Sequence, residues 1–454
     1  MEVEFKMRYS NDLKDLEDEK EISKTPKMQK FNSENLHQKN NIFFEDGSNQ
    51  EIFDEENNDK RSTSLKKKNL NKFLYSTDSD KLSIKNSSIL KIPLLSYNVF
   101  MRPPFIKTKK SDSKNKRNKE LMKLINEYKI VCFQEMFDAY SSRKYKIIKA
   151  AYEIGYKYYE ESSPPGYFEA PLIDGGLLTL SKYPIISSKF FKYNCFCTVD
   201  KLSKKGILYT KIIVNNSILH LFNTHLQASY VYTFNKKSKL SYFTRLYQIL
   251  ELKNVLGEVL KNENYYKNDL VIVCGDLNID SNGYDVDLDE YKKAFKDVLP
   301  EIEKSYLDDY DKVTEYDLLM FALNLGDEFE VSDLLKKNFD ESPQIKRLVT
   351  YADYEICKKT GKRIPIETKF TPNSDYGKGL CLDYILKIVP KDKKKFQKND
   401  LDLKLNSKLV PNIKTCRVKK NFREGDEFSQ LSDHYAVQIV LEDYEPRNES
   451  LYDF

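Results

Sequence analysis

Apolar residues in this chain of 454 residues fall into short runs that stop at polar residues of a few recurring types. Ile89 to Val99 reads as a buried strand, and Lys107 to Lys119 as a basic, Ser/Asn-rich loop. Leu121, Leu124, Ile125 and Tyr128 then recur at i, i+3, i+4 and i+7, one face of a helix. Ile130 to Phe133 is a short strand, and Ser142 to Ile154 a second amphipathic helix. Gly175 to Leu180 and Ile218 to Asn223 are further strands. Arg245 to Leu260 is helical, with Leu246, Ile249, Leu250, Leu252 and Val255-Leu256 on its inner side. Leu270 to Cys274, Leu382 to Leu386 and His434 to Leu441 complete the series. Hairpin and crossover spacings both occur, which predicts an α/β sandwich of two sheets rather than a doubly wound sheet.

The informative feature is how the strands end. The ends are Asn98, Gln134-Glu135, Asn223-Thr224-His225, Gly275-Asp276-Leu277-Asn278 and, before the last strand, Ser432-Asp433-His434. Asp383 adds an acid inside Leu382-Asp383-Tyr384. One such end is ordinarily a solvated terminus or a turn. Repetition of the same residue types points to side chains aimed by a rigid sheet into one crevice. His220 sits inside an apolar strand and reads as a satisfied core residue.

Glu135 and Asn98 offer hard oxygen donors of the kind Mg²⁺ prefers, too few to close its shell, so water and a phosphate oxygen have room. His434 is the natural general base, because imidazole titrates near neutrality. Asp383 suits its other ring nitrogen. Asp276 and Asn278, two apart on a turn expected to be extended, can orient water and bind a phosphoryl oxygen. His225 can donate to phosphate or bind a second metal. Gly-X-Ser-X-Gly, paired Cys-X-X-Cys, Walker and Gly-X-Gly-X-X-Gly motifs are absent. The residues fit metal-assisted hydrolysis of a phosphodiester by water.

Charge narrows the classes. Lys plus Arg is 75 against 70 for Asp plus Glu, too balanced for a dedicated polybasic nucleic-acid binder. No apolar run approaches the roughly 18–20 residues of a membrane helix, and the charged N-terminus is no secretory signal. Residues 1–85 carry 16 basic and 18 acidic side chains among scattered apolar ones, so they read as a disordered tail ahead of a catalytic domain at 86–454. Tyr284 to Lys337, acidic and helical, and Lys387 to Glu424, Lys-rich and hairpin-like, read as insertions. The seven Cys, odd in number and without paired spacing, read as free thiols in a reducing compartment, which implies an intracellular protein.

Together, Ser96-Tyr97-Asn98, Phe133-Gln134-Glu135, Asn223-Thr224-His225-Leu226, Gly275-Asp276-Leu277-Asn278, Leu382-Asp383-Tyr384 and Ser432-Asp433-His434 resemble the endonuclease/exonuclease/phosphatase superfamily of DNase I-like fold. The flanking residues resemble neutral sphingomyelinases: Thr224-His225-Leu226-Gln227-Ala228, a following helix with Arg245 and Gln248, Asp174-Gly175-Gly176 leading to Ser181-Lys182-Tyr183-Pro184-Ile185, and Asn98-Val99-Phe100-Met101-Arg102-Pro103-Pro104, which resembles the protozoan and animal members. The resemblance implies a four-layer sandwich with two central mixed sheets flanked by helices. It implies Mg²⁺-dependent cleavage of sphingomyelin, or a related choline lipid such as lysophosphatidylcholine, to ceramide (or a glyceride) and phosphocholine. Mn²⁺ is the expected substitute for Mg²⁺. By the same resemblance, Glu135, Asn98 and Asp433 serve the metal, His434 is the base supported by Asp383, and Asp276, Asn278 and His225 handle phosphate and water. Ala436 departs from the Pro of many relatives, and neither the membrane spans of some animal members nor the secretion signal of bacterial ones is found. Lipid is therefore expected to be reached peripherally, with anionic lipid as an aid and no nucleic-acid partner. A Mg²⁺-dependent endonuclease or abasic-site nuclease shares the metal site and is the alternative enzyme; a binding module with a degenerate site is the non-enzyme alternative.

Overall fold

The computed structural model describes residues 89–444 except 105, 109–111, 167–170, 230–235, 267, 284–313, 325–326, 343, 345, 393–394, 397–407 and 424–426. The expected N-terminal tail, with His37 and Lys66-Lys67-Lys68, and the centres of both expected insertions lie outside the described residues.

Two six-stranded sheets form the middle of the structure. The first has the order β13-β14-β1-β2-β4-β3, built from β1 (Leu90–Met101), β2 (Ile130–Met136), β3 (Tyr158–Glu161), β4 (Leu178–Ser181), β13 (Lys408–Lys419) and β14 (Ala436–Tyr444). The second has the order β5-β6-β7-β8-β12-β9, from β5 (Ile185–Lys192), β6 (Gly206–Val214), β7 (Ser217–His225), β8 (Leu270–Asp276), β9 (Phe329–Asp333) and β12 (Asp383–Pro390). β10 (Tyr354–Ile356) and β11 (Arg363–Pro365) pair separately. β1 with β2 and β7 with β8 are parallel. Each of these pairs is joined by a crossover through a helix, α1 (Lys114–Leu124) in one and α3 (Lys236–Asn262) in the other. The other pairings are antiparallel, so both sheets are mixed.

The period-2 pattern of each central strand sorts its residues between layers. Ile92 and Leu94 of β1, Ile130 and Cys132 of β2, Leu219 and Leu221 of β7, and Leu270, Ile272 and Cys274 of β8 meet between the sheets. Ile385 of β12 and Val437, Ile439 and Leu441 of β14 join them. The alternate residues Leu95, Tyr97, Val99, Val131 and Phe133 pack outward with residues of α1 and α2 (Arg143–Glu153). Phe222, Val271, Val273, Tyr384 and Leu386 pack outward with residues of α3 and α4 (Glu315–Asn324). Helix, sheet, sheet, helix is the four-layer sandwich the sequence implies.

Three local expectations change. The basic loop at Lys107–Lys119 is helical from Lys114. Arg117 drives this: it is fully buried and donates to the carbonyls of Val99, Phe100, Asp112 and Leu431, each at 2.8 Å. The acidic stretch 284–337 is not helical throughout, since β9 pairs with β12 at the edge of the second sheet. The strands of 387–424 do not form a hairpin with each other, because β12 joins one sheet and β13 the other.

β7 and β8 approach so closely at one point that only glycine fits. A Cβ on Gly275 would lie 1.8 Å from the Thr224 carbonyl oxygen, and its φ is +141°. Gly275→Ala is therefore expected to cost about 2–4 kcal/mol of stability, read as a lower midpoint in denaturant unfolding. An unchanged midpoint would refute this account of the strand pairing.

Candidate active site

The inner rows of the strands run from apolar to polar. Beyond Ile92 and Leu94 on β1 come Ser96 and Asn98; beyond Ile130 and Cys132 on β2 comes Gln134. Asn223 and His225 extend the row of β7, and Asp276 that of β8. The second sheet sets His225 opposite Asp276 and Asp276 opposite Asp383, so three neighbouring strands present these side chains in one line. Polar bridges close the gap between the sheets at this end. Gln134 Nε2 donates to Asn223 Oδ1 at 2.8 Å, and Asn98 Nδ2 to Asp276 Oδ2 at 2.9 Å.

His434 enters from the loop before β14. Its Nδ1 lies 2.8 Å from Asp383 Oδ2 and its Nε2 3.6 Å from Asp276 Oδ2. A proton on Nδ1 shared with Asp383 leaves the Nε2 lone pair available. Burial pulls this imidazole down, but the charges of Asp383 and Asp276 and the Asp383 hydrogen bond outweigh it and hold it well above its ordinary range. Burial drives Asp276 up to about 6, with His434 opposing and Asp383 reinforcing. Asp433 is pushed up to about 7, again by burial first, opposed by His434 and reinforced by Glu135.

Glu135 reaches the site by a break in the pleat. Gln134 faces inward, so regular alternation would turn Glu135 outward. Instead Glu135 has φ +55°, the β1–β2 register shifts between Asn98 and Met101, and its Oε1 accepts from Asn98 Nδ2 at 3.2 Å. The Asp174-Gly175-Gly176 turn supports this bend. Gly176 has φ +68°, and a Cβ there would stand 3.1 Å from Glu135 Cα and 2.9 Å from the Phe137 ring. Asp174 holds the turn by accepting from Gly176 N, Asp138 N and Lys144 Nζ. Asn98 keeps its Oδ1 on the backbone N–H of Phe100 at 3.1 Å, so the group it turns to both carboxylates is its NH₂.

On the opposite side, His225 Nε2 lies 3.3 Å from Lys205 Nζ and 3.5 Å from Asp276 Oδ2. Burial, with Lys205 and His434 nearby, holds this imidazole well below its ordinary range, so it is neutral. Its buried Nδ1 has no partner. Asn278 is not on an extended turn: φ is +54°, its N–H donates to Asp276 Oδ1 at 2.9 Å and its Nδ2 to the Leu226 carbonyl at 3.1 Å. The Leu226–Ser229 loop is clamped from α3. Gln248 Oε1 accepts from Gln227 N at 2.8 Å, and Arg245 Nη1 donates to Gln227 O and Ser229 Oγ while its guanidinium pairs with Glu315.

The structure thus brings Asn98, Glu135, His225, Asp276, Asn278, Asp383, Asp433 and His434 to one end of the inter-sheet gap. His220 stands apart on the outer face, between Tyr209 OH at 2.9 Å and Asp269 Oδ2 at 3.1 Å. Three participants gave no sequence signal. Lys205 pairs with Asp200 at 2.9 Å but in sequence is one Lys among dozens. Thr350 Oγ1 accepts from Leu382 N and Asp383 N, and the Tyr351 ring lies 4.8 Å from that of His434. Both come from a segment that has no periodicity.

A divalent cation fits this donor set. Buried carboxylates crowd the site, two of them raised, and Asp383 Oδ1 is buried with no partner. Among the described residues, Asp276, Asp383 and His434 place one ligand atom each within 4.8 Å of one another. That grouping includes neither Glu135 nor Asp433, two of the residues expected to serve the metal; the third, Asn98, bonds directly to Asp276.

Comparison with known proteins follows the same lines. Residues 95–386 match the Endonuclease/Exonuclease/phosphatase family. A sphingomyelinase of Dictyostelium discoideum is 31% identical over 352 residues, which cover 70% of this chain and 72% of that protein. A sphingomyelinase C of Bacillus cereus is 29% identical over 189 residues, 41% of this chain and 48% of that protein. Among solved structures, a mutant beta toxin of Staphylococcus aureus with bound magnesium ions aligns at TM-score 0.47 and 19% identity, covering 79% of this chain and all of that one. By its family match, and by its likeness to the Dictyostelium protein over most of both chains, the chain belongs to the endonuclease/exonuclease/phosphatase family, alongside the sphingomyelinases.

Proposed function

We propose that the chain is a Mg²⁺-dependent phosphodiesterase of phospholipase C type that hydrolyses sphingomyelin to ceramide and phosphocholine. The observation that carries the reading is the Asp383–His434 pair, bonded at 2.8 Å with Nε2 turned toward the carboxylate of Asp276. The sphingomyelinase names of its relatives support the substrate class.

In this reading His434 Nε2 takes a proton from water as that water attacks phosphorus. Asp383 fixes the tautomer and balances the imidazolium charge. Asp276 orients the water, and Asn278 and the free Nδ1–H of His225 donate to phosphoryl oxygens. Glu135 and Asp433 would hold the cation. Asn98 holds Glu135 and Asp276 in register, and serves as a ligand only if its amide turns away from Phe100. The cation supplies charge stabilisation at the phosphoryl group. The bond from phosphorus to the ceramide oxygen breaks, that oxygen takes up a proton from solvent, and His434 gives the proton it took back to solvent. Among the described residues no helix is long and apolar enough to cross a membrane, and lipid is reached peripherally in this reading. Lysophosphatidylcholine and other choline lipids carry the same phosphodiester.

Glu135→Gln is expected to remove most sphingomyelin hydrolysis, with only partial rescue by excess Mg²⁺ or Mn²⁺. Parallel assays on sphingomyelin, lysophosphatidylcholine, phosphatidylcholine and abasic DNA check both substrate and metal. Full activity in EDTA, or cleavage of the DNA alone, would overturn the reading.

His434→Ala is expected to lower kcat about 10²–10⁴-fold while leaving lipid binding intact. A base must be unprotonated to act, so the wild-type rate rises with pH through the His434 titration. Asp383→Asn removes the strongest influence holding that titration up. Its acid limb is expected at lower pH than wild type, with a reduced plateau. Because the pair acts together, the double variant should be little worse than His434→Ala alone. Near-normal turnover of His434→Ala with a wild-type pH profile would leave His434 a structural role only.

A further inference from the structure

Two exposed apolar tips flank the site, and the proposed reaction uses neither. The first is on the His225 side. Leu172, Val199 and Leu202 are 70%, 60% and 49% exposed. Exposed apolar residues scattered singly are ordinary, but these three are gathered. Leu172 N donates to Leu202 O at 2.9 Å, and Val199 and Leu202 are three apart on the 3₁₀ turn Thr198–Leu202, where such positions eclipse. Asp200, between them, accepts from Lys205 Nζ and Ala228 N at 2.9 Å each, which fastens the tip to the residues around His225. The second tip is on the Asp383–His434 side. Tyr351 packs on His434, and three residues later the chain enters the β10–β11 hairpin. The base of the hairpin is fixed: Ile366 N donates to Asp353 O at 3.0 Å, Arg363 Nη1 donates to Gly377 O at 2.7 Å, and Tyr354 lies against the guanidiniums of Arg347 and Arg363. Ile356 pairs with Arg363 and Ile364 with Glu355, so the two isoleucines stand on opposite faces of the hairpin. Both are exposed, at 55% and 50%. Residues 354–365 carry four bases, Lys358, Lys359, Lys362 and Arg363, against one acid, Glu355. Lys201, Lys358, Lys359 and Lys362 are all exposed and make no ion pair among the described residues.

We propose that both tips insert among the head groups of a phospholipid bilayer, with these lysines on lipid phosphates. The proposal rests on the lipid substrate proposed above, whose phosphodiester lies in that layer. The first tip precedes β6 and the second precedes β12, and His225, Asp276 and Asp383 line up on β7, β8 and β12 within the span from one to the other. Seating both tips therefore turns the site toward the membrane. A folded protein partner would cover one face of a hairpin. Apolar side chains on both faces suit a medium that surrounds the tip, and lysines beside them suit the phosphates at its surface.

The chain contains no Trp, so a single one introduced at a tip reports its own surroundings. L172W and I356W are made in the full chain, with Y444W, at the far end of β14, as the reference. Phosphatidylcholine vesicles free of sphingomyelin, with and without phosphatidylserine, are added in the presence of Mg²⁺. Emission of L172W and I356W is expected to move to the blue and to be quenched by brominated lipid, while that of Y444W stays. V199S/L202S and I356S/I364S are each expected to weaken vesicle binding by about tenfold or more, the loss that withdrawing large apolar side chains from an apolar medium carries. Each should keep the wild-type unfolding midpoint and the turnover of a short-chain sphingomyelin held below its micelle concentration. K358Q/K359Q/K362Q should weaken binding to the phosphatidylserine vesicles most and reduce its dependence on salt. Insertion without cleavage of sphingomyelin supports the surface and overturns only the proposed reaction. Cleavage of sphingomyelin with both tryptophans left in water, serine variants that bind vesicles like wild type, or an equal shift in Y444W overturns the surface. So does self-association that I356S/I364S abolishes in the absence of vesicle insertion, which would assign the hairpin to a second copy of the chain.

Discussion

The contact between the inner faces of the two sheets is the constraint on which the rest depends. At one end it is hydrocarbon against hydrocarbon, Ile92, Leu94 and Ile130 meeting Leu219, Leu221 and Ile272. At the other end the same strands continue but the side chains become amides, acids and imidazoles. The apolar end sets the spacing and the register by burial, which is non-directional. The polar end then inherits that spacing. Asn98 can reach Asp276 across the gap only because the residues two and four positions back along each strand are packed.

Such an end is costly unless its groups satisfy one another. Gln134 and Asn223 do so, and Asn223 Nδ2 also donates to the Phe133 and Leu178 carbonyls. The carboxylates do so incompletely. Asp276 and Asp433 are driven upward and His434 is held above its ordinary range, as buried carboxylates short of positive charge dictate. A cation there would relieve the repulsion and let the imidazole return toward its ordinary range.

Support for the cluster comes from residues around it. Arg117 gathers the carbonyls of Val99, Phe100 and Leu431, tying the end of the Asn98 strand to the loop that carries Asp433 and His434. Gly176 leaves room for the bend at Glu135, and Thr350 holds the start of the Asp383 strand. Each fixes where a side chain of the cluster stands.

The sequence by itself determined the layers and which polar residues stand at the strand ends. Period-2 rows in the strands and 3.6-period faces on α2 and α3 are local signals, and burial enforces them wherever the chain goes. The polar residues at the strand ends were legible for the same reason, as the points where an apolar row stops. Only the tertiary structure decided which way several of them point. Parity alone would have turned Glu135 away from the crevice, and a left-handed backbone at that residue, braced by Gly176, brings it back. Asn278 likewise follows its backbone and not the extended turn its spacing implies. The first turns of α1, from Lys114 to Glu120, and the strand at Phe329 were not legible, because a buried arginine in one and an edge pairing with β12 in the other depend on partners distant in sequence. Lys205 and Thr350 were invisible for the same reason: a lysine or a threonine carries no mark of what it will touch until the sheets have packed.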